Sequence, residues 1–192
     1  MSKTHKPDPV KLICSLFSPE KEFIYKIIQQ LEELCGPVDW ISPELFFDRT
    51  KYYAAEMGWP LHRRFISFEK PAPPERLVTL KLETNRVEQQ NLVSGKRRVN
   101  IDPGYITAER LILATGKNFS HRVYLSQGIY ADLTLIFRKG SFRPLEWTYP
   151  DYADPSIIYY FNELRSKYIH SKKLRDRPDT TEQIHKSKEV RN

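Results

Sequence analysis

The stretch VKLICSLFSPEKEFIYKIIQQLEELCGP, residues 10–37, decides how the fold begins. Its first part, Val10–Ser18, is a mostly apolar run that is typical of a buried strand. Ser18–Pro19 is a helix-start signal, because serine caps the first turn and proline fits the first helical position. Apolar residues then recur at three- and four-residue spacings until Gly36–Pro37 ends the pattern. The stretch therefore predicts a strand followed by a helix with one buried face.

The chain beyond residue 37 predicts more strands, two further helices and several turns. After the proline-rich linker Lys70–Pro74 we expect a helix, although the alternation of Val78, Leu80 and Leu82 also allows a strand. From Arg97 the apolar residues recur at every second position, which predicts strands joined by tight turns. The other predictions are extended pieces within 38–48 broken at Pro43, a loop at 49–62, a strand at 63–69, a strand or a Thr107-capped short helix at 107–114, turns at 117–118, 127–128 and 139–140, and a helix that begins at Asp154–Pro155.

The order of these elements is strand, helix, strand, strand, helix, strand, followed by hairpins and a last helix. The first six elements match the βαββαβ order of ferredoxin-like domains. The sequence therefore predicts an α+β fold, in which a ferredoxin-like βαββαβ unit is extended by C-terminal β-hairpins and a terminal helix. We expect a flexible N-terminus at 1–9, a single α+β domain at 10–171 and a disordered basic tail at 172–192.

Length and composition narrow the class of protein. The chain has 192 residues, of which 40% are hydrophobic, enough for one domain with a real core. No apolar run approaches the ~18 residues that span a bilayer, and the N-terminus lacks the apolar region of a signal peptide. We therefore expect a cytoplasmic protein with no membrane contact. Cys14 and Cys35 lie among apolar neighbours without a C-x-x-C pair, which favours two buried free thiols.

The positive charge is concentrated in two segments. The formal net charge is +7, residues 96–122 hold six Lys/Arg against two Asp/Glu, and residues 172–192 hold seven against four. A concentrated positive charge suggests an anionic partner, but a basic composition is not specific evidence for nucleic acid.

Asp102 has two interpretations. In the sequence Asp-Pro-Gly-Tyr, Pro103 and Gly104 suit a type II turn, and the Asp102 carboxylate would accept N–H groups of that turn. Alternatively, a strand end presents Asp102 to a ligand. On a strand starting at Arg97, Arg98, Asn100 and Asp102 would share one face and form a polar site wall, or an ordinary solvent-facing row.

A second cluster lies in TGKNFSHRVYL, residues 115–125. It contains Lys117, His121, Arg122 and Tyr124, on a predicted turn and the strand after it. Histidine exchanges a proton near neutral pH, and lysine and arginine bind phosphate. A solvated hairpin turn is the alternative. The pattern is no P-loop, because that motif needs a glycine in place of Leu111 and a hydroxyl in place of Asn118.

A third cluster, EWTYPDYADP at 146–155, brings Trp147, Tyr149 and Asp151 together. The rings could stack on a base or sugar while Asp151 binds ribose hydroxyls, or they could pack the loop against the sheet. A metal site is not predicted, because it needs three or four convergent ligands. Only His121 has a carboxylate within reach in a structured region, and that carboxylate is Asp132 if the hairpin pairs as expected.

The combination of GKRRVNIDPGY, LATGKNFSHRVYL, GIYADLTLIF and WTYPDY resembles the bacterial family called domain of unknown function 4416. The resemblance covers about residues 10–170 and implies no established activity or cofactor. Some members of that family are labelled GTP-binding, a label to which the missing P-loop gives no support in this chain. The resemblance directs attention to Asp102, Lys117, His121, Arg122, Tyr124, Trp147, Tyr149 and Asp151.

These observations favour a binder, with turnover left open, for a small phosphorylated ligand such as a nucleotide. In this hypothesis Asp102 or His121 transfers any proton. The ligand-binding set is Arg98, Asn100, Lys117, Arg122, Tyr124, Trp147, Tyr149 and Asp151. One alternative is an RNA-associated basic module, and another is a non-catalytic protein-interaction domain. The hypothesis requires the three clusters to meet in one pocket, and the sequence determines neither a cofactor nor the oligomeric state.

Overall fold

The computed structural model describes residues 1, 3–46 and 53–175. It shows a mixture of helices and strands, which confirms the predicted α+β class. The elements in chain order are β1 (Lys11–Ser18), α1 (Lys21–Cys35), β2 (Val38–Ile41), β3 (Leu45–Phe46), α2 (Ala54–Met57), β4 (His62–Phe68), α3 (Arg76–Gln90), β5 (Asn100–Ile106), β6 (Arg110–Thr115), β7 (Arg122–Ser126), β8 (Ile129–Arg138), β9 (Ser141–Pro144) and α4 (Pro155–Arg175).

The described strands form one antiparallel sheet with the order β2-β4-β1-β5-β6-β8-β7. Two short strands lie off this path, because β3 pairs with β4 and β9 pairs with β8. The register of β7 on β8 places Arg122 opposite Asp132, and the register of β5 on β1 places Asp102 opposite Ser15. The sheet therefore brings polar residues from distant parts of the sequence onto neighbouring strands.

Helices cover both faces of the sheet and produce two main layers of core. The side chains of α1 and α3 pack on Leu12, Cys14 and Leu16 of β1, while α4 packs on Ile13 and other residues of the opposite face. Because alternate β1 residues contact different helices, the strand is buried on both sides and its sequence is apolar almost throughout. A membrane-spanning helix, long and apolar, is not found in the described part of the chain.

The predicted end of α1 is confirmed, but the helix begins at Lys21 rather than at Pro19, and its N-cap residue, Glu20, makes no side-chain capping hydrogen bond. The Ser18 hydroxyl accepts a hydrogen bond from the backbone N–H of Glu20 at 3.0 Å, before the helix begins. At the other end, Gly36 adopts φ +85°, a conformation that glycine tolerates, and its N–H donates to the Glu32 carbonyl at 2.8 Å. Cys14 is buried as predicted, whereas Cys35, the last residue of the helix, is half-buried.

The predicted turn at Asp-Pro-Gly-Tyr is wrong. Strand β5 continues through all four residues to Ile106. Gly104 is needed for close contact rather than for a positive φ, because a Cβ there would lie 2.4 Å from the Ile112 carbonyl oxygen on β6. The glycine therefore permits two strands to approach, and the Asp102 carboxylate does not cap a turn.

Other local predictions have mixed outcomes. The helix after the proline-rich linker is confirmed as α3, so its strand alternative is wrong. The helix alternative at 107–114 is also wrong, because Thr107 Oγ1 accepts hydrogen bonds from the N–H groups of Glu109 and Arg110 in a turn that precedes β6. The turns at 127–128 and 139–140 are confirmed, with both residues of each pair at positive φ.

Two predicted regions fall partly outside the described residues. Within the predicted loop 49–62, residues 53–62 include the short helix α2 and the start of β4, and residues 49–52 lie outside the described part. Helix α4 continues to Arg175, beyond the expected start of the tail at Lys172. Residues 176–192 lie outside the described part, so the disordered tail stays a prediction.

Candidate functional site

Arg98 does not lie with Asn100 and Asp102. Strand β5 begins at Asn100, so the strand alternation does not extend back to Arg98 and the predicted polar row is not formed. The Arg98 guanidinium instead donates two hydrogen bonds, of 2.8 and 2.5 Å, to the Glu20 carboxylate. It also lies 3.8 Å from the centre of the Phe23 ring. Arg98 thus belongs to the surface at the start of α1.

Asn100 and Asp102 form a polar cluster with side chains from elsewhere in the chain. Asn100 Nδ2 donates to Asp102 Oδ2 at 2.7 Å, and Asn100 Oδ1 accepts from Arg97 at 3.0 Å. The buried Lys81 amine lies 3.6 Å from Asp102 Oδ1. Arg97 in turn holds Glu56 through two hydrogen bonds of 2.7 Å. The positive and negative charges in this cluster are closely balanced.

Asp151 also lies in an ion pair. Its carboxylate accepts a hydrogen bond from buried Arg63, whose Nε donates to Ser15 Oγ at 2.9 Å. The Arg63 guanidinium lies against the rings of Phe65 and Tyr152, at 4.6 and 4.9 Å. These contacts fix the loop before α4 onto the sheet. The carboxylate that was predicted to bind ribose is therefore engaged with a buried cation.

Tyr152 is a buried polar residue beside this ion pair. Its hydroxyl has no hydrogen-bond partner among the described residues. Burial raises the pKa of the phenol, and the nearby Arg63 opposes part of that rise. The hydroxyl therefore stays protonated at neutral pH.

Four of the predicted side chains converge around a buried carboxylate on β8, and the backbone carbonyl of Lys117 joins them. We call this group the His121 cluster; it consists of Lys117, His121, Arg122, Asp132, Trp147 and Tyr149. Arg122 Nε donates to Asp132 Oδ2 at 2.8 Å, and its other nitrogens donate to the Lys117 carbonyl and the Tyr149 hydroxyl, each at 3.1 Å. Arg122 thus connects the turn before β7, the carboxylate on β8 and the loop before α4.

His121 lies on top of Trp147. The two rings are nearly parallel, with centres 5.0 Å apart and planes 10° apart. Trp147 is held in place because its indole N–H donates to the Leu133 carbonyl at 2.8 Å. Phe119 also contacts the imidazole, edge to face, with ring centres 5.3 Å apart. The imidazole therefore contacts two aromatic rings.

The imidazole nitrogen Nε2 of His121 is buried without a hydrogen-bond partner among the described residues. It lies 3.4 Å from Asp132 Oδ2, so the hairpin register brings the predicted pair close without forming a bond. Asp132 is almost fully buried, and its one strong hydrogen bond comes from Arg122. The sequence signal for this carboxylate is a lone aspartate within the apolar strand GIYADLTLIF.

The charge of Arg122 is compensated inside the cluster. Burial opposes the charged form, but the hydrogen bonds with Asp132 and Tyr149 outweigh it and raise the pKa of the guanidinium. The rings that border the cluster face solvent, with Phe119 63%, Tyr149 53% and Trp147 39% exposed. The cluster therefore offers flat apolar surface above a compensated ion pair and an unpartnered imidazole nitrogen.

Tyr124 lies beside the cluster. It shares a face of β7 with Arg122, since alternate residues of a strand point to the same side. Its ring is exposed and contacts Tyr130 edge to face at 5.3 Å. Tyr124 therefore extends the aromatic surface along the strand.

A metal site and an open groove are the other two possibilities for binding among the described residues. Over residues 1, 3–46 and 53–175, no group of three or more His, Cys, Asp or Glu side chains is placed to hold a metal ion. An open groove of about 450 Å³ lies between Glu20, Met57 and the segment 96–98. The guanidinium groups on its wall are those of Arg97 and Arg98, which are already paired with carboxylates.

Comparison with known proteins places most of the chain in one family. A family model described as a domain of unknown function, DUF4416, matches residues 8–168. The searches of curated proteins and of solved structures returned no match. The matched region includes every residue of the His121 cluster.

Proposed function

The chain belongs to the family of the domain of unknown function DUF4416, whose description states no activity, and we therefore propose a function from the site itself. The protein binds a small phosphorylated ligand that carries a planar ring, such as a nucleotide, at the His121 cluster. One observation carries this proposal: the partly exposed indole of Trp147 is fixed by the His121 ring stacked on it and by its hydrogen bond with the Leu133 carbonyl, beside the Arg122–Asp132 ion pair. A ring that is already fixed loses little conformational entropy when a planar ligand stacks on it.

The exposed rings supply the second part of the recognition. Trp147 is fixed on one side by His121 and by its hydrogen bond with the Leu133 carbonyl. A fixed and partly exposed indole is a suitable stacking surface for a nucleobase, with Phe119 and Tyr149 at its borders. Any planar heterocycle can stack on such rings, so the rings recognise the flat shape of the ligand rather than a particular base.

The phosphate is bound by His121 and by the turn before it. The imidazole of His121 donates a hydrogen bond to the ligand, and Lys117 on the adjacent turn adds positive charge. Arg122 has a positioning role, because its guanidinium already binds Asp132, Tyr149 and the Lys117 carbonyl. Asp102 lies with Asn100 and Lys81, so we propose binding and no reaction.

The test is a thermal-shift and calorimetric screen of nucleotides, sugar phosphates and inorganic phosphate against the full chain. We expect a ligand that stabilises the protein and whose affinity falls about tenfold or more in Trp147→Ala, the usual effect of removing a stacking ring. His121→Gln should weaken phosphate-containing ligands more than the free nucleoside.

Two variants serve as controls. Tyr159→Ala removes an exposed ring on α4, and Arg98→Gln removes a cation that lies outside the cluster; both should bind as the native protein does. An absence of any stabilising ligand, or an equal loss of affinity in the controls, would overturn the proposal.

The alternatives depend on different surfaces. Within the predicted basic segment 96–122, Arg97, Arg98 and Arg122 give little support to an RNA-associated module, because each of them is paired with a carboxylate. A protein-interaction domain is favoured by the edge strand β7, where three consecutive residues, Val123, Tyr124 and Leu125, are exposed. Co-purification of one stoichiometric partner, lost in Val123→Lys, is the test of that second candidate.

The finer classification of the fold is also a proposal. The ferredoxin-like arrangement is supported by the strand order β2-β4-β1-β5 and by the packing of α1 and α3 on the same sheet face. The cytoplasmic location and the boundaries of the domain stay predictions.

A further inference from the structure

Three arginines lie on one face of the sheet, on three adjacent strands. The register places Arg110 of β6 opposite Ile136 of β8, and Ile136 opposite Arg143 of β9. Arg138 follows Ile136 by two positions on β8, so its side chain points to the same face. We call this surface the arginine face.

The arginine face is the side of the sheet that α4 does not cover. The neighbouring positions on the same three strands, Leu111, Leu135 and Phe142, pack in the core layer beneath α4. Because side chains alternate along a strand, the arginines point away from that layer. All three are exposed.

Their guanidinium groups make no hydrogen bond or ion pair with any residue that the structure describes. This distinguishes them from Arg63, Arg97, Arg98 and Arg122, each of which holds a carboxylate. Positive charges grouped on one surface repel one another, and an anion bound there relieves this repulsion. Lys139, on the exposed turn between β8 and β9, adds a fourth positive charge nearby.

We propose that the arginine face binds single-stranded nucleic acid. Neighbouring strands are about 4.8 Å apart, so Arg110 and Arg143 lie roughly 10 Å apart across β8. This length corresponds to about three nucleotides at the 3.4 Å spacing of a stacked strand. Guanidinium groups bind phosphodiester oxygens and stack on unpaired bases, and a row of exposed arginines across neighbouring strands gives a single strand a path to lie along.

A lipid surface is a less suitable partner for the same charges. Ile136, at the centre of the row, is half-buried, so the arginine face offers charge without a protruding apolar residue to enter a lipid layer. The arginine face is also distinct from the His121 cluster, and the two proposals stand or fall separately.

The experiment measures fluorescence anisotropy of labelled oligouridylate and oligothymidylate with the full chain. Because each of the three arginines neutralises one phosphate, we expect the affinity for the oligonucleotide to fall roughly twentyfold between about 50 and about 200 mM KCl. The triple variant Arg110→Gln, Arg138→Gln, Arg143→Gln should bind at least tenfold more weakly and lose most of this salt dependence.

A matched control removes the same charge elsewhere. Lys26, Lys70 and Lys173 are exposed residues of other surfaces, and replacing all three by Gln should change affinity less than threefold. Residues 176–192 are the same in every variant, so the difference between the two triple variants reports on the arginine face. Circular dichroism checks that both variants fold.

The outcomes separate the alternatives. Binding of either oligonucleotide that depends on the three arginines supports the proposal, and a preference between the two identifies the sugar. Absence of binding at about 50 mM KCl, or an equal loss in the lysine control, overturns it. Binding to phosphatidylserine vesicles but not to oligonucleotides through the same arginines also overturns it, in favour of a membrane. An arginine dependence that persists in the Trp147→Ala background distinguishes this surface from the proposed ligand site.

Discussion

The carboxylate of Glu88 on α3 accepts a hydrogen bond of 2.6 Å from the backbone N–H of Ile101 on β5. Lys81, two turns earlier on the same helix, donates to the Ile101 carbonyl at 2.9 Å. Pro103 explains why a helix takes the place of a strand here. Pro103 has no N–H, and its hydrogen-bonding position lies on the same edge of β5 as that of Ile101. The pairing of β5 with β6 therefore stops at Gly104. Beyond that point the side chains of Glu88 and Lys81 form the hydrogen bonds with the β5 backbone that β6 does not form.

The first prediction concerns this pair of residues. Glu88→Ala leaves the buried Ile101 N–H without its acceptor and removes the negative charge that faces Lys81 and Arg97, and should lower the free energy of unfolding by about 2–4 kcal/mol. Glu88→Gln keeps an acceptor oxygen and should cost less. Urea denaturation at neutral pH measures both, with the exposed Gln90→Ala on the same helix as the control, expected within about 0.5 kcal/mol of the native protein.

The pH dependence of the same variants tests the cause. Burial raises the pKa of Glu88 above its ordinary value of 4.5. A raised pKa means that the folded state binds its proton more tightly than the unfolded state, so this contribution is complete below 4.5 and is lost as the pH rises through the raised value. The native protein should therefore lose stability relative to Glu88→Gln over that window. An offset between the two proteins that is constant with pH would contradict the assignment.

The Pro103–Gly104 pair shows where sequence reasoning fails and why. Local rules predict a turn, because proline fixes φ and glycine allows positive φ. In the structure both residues instead act on contacts between strands. Pro103 ends the hydrogen bonding of β5 with β6, and Gly104 allows the backbone of β6 to approach closely. Local propensities carry no information on which strand lies alongside, and that contact decides the outcome. The apolar periodicity of α1, by contrast, is local and predicts its helix correctly.

Gly104→Ala tests the steric role of the glycine. The added Cβ would lie 2.4 Å from the Ile112 carbonyl oxygen and 2.8 Å from Leu113 Cδ2. Since backbone must move to relieve the first contact, we expect a loss of about 2–4 kcal/mol in the free energy of unfolding. Gly116→Ala is the matched control, because an added Cβ there meets nothing within 4 Å. Similar stabilities for the two variants would show that β5 and β6 are not in close contact.

The candidate site was predictable only where the hairpin register was predictable. His121 and Asp132 are brought together by the β7–β8 hairpin, whose turn at 127–128 is visible in the sequence. Arg63 and Asp151 are 88 residues apart, and nothing in either segment indicates that they pair. The alternation places Arg98 wrongly because strand β5 begins at Asn100, three residues after the predicted start at Arg97.

Asp39 gives a pH dependence of the opposite sign. Burial raises the pKa of its carboxyl, but hydrogen bonds from Lys11 and Ser67 outweigh burial and hold the pKa below its ordinary value of 3.8. The stabilisation is therefore present above 3.8 and is lost as the pH falls through the lowered value. Asp39→Asn should cost about 1–2 kcal/mol at neutral pH, and the difference from the native protein should shrink in acid.

Chemical denaturation at a series of pH values measures this difference. Glu22→Gln, an exposed first-turn residue of α1, is the control and should follow the native curve at every pH. A difference between Asp39→Asn and the native protein that persists unchanged in strong acid would rule out the Lys11 ion pair as its source.

The two cysteines should react at very different rates with a thiol reagent. Burial raises the pKa of Cys35 to about 11, so at about pH 8 it has on the order of a hundredfold less thiolate than an exposed cysteine with a pKa near 8.5. Cys14 is fully buried with a pKa raised further, and should react only when the protein opens. With Ellman's reagent we expect one slow phase, absent in Cys35→Ser, and a second phase that appears on unfolding in urea and is absent in Cys14→Ser. Rapid reaction of both thiols in the native protein would mean that the core beneath α1 is open to solvent.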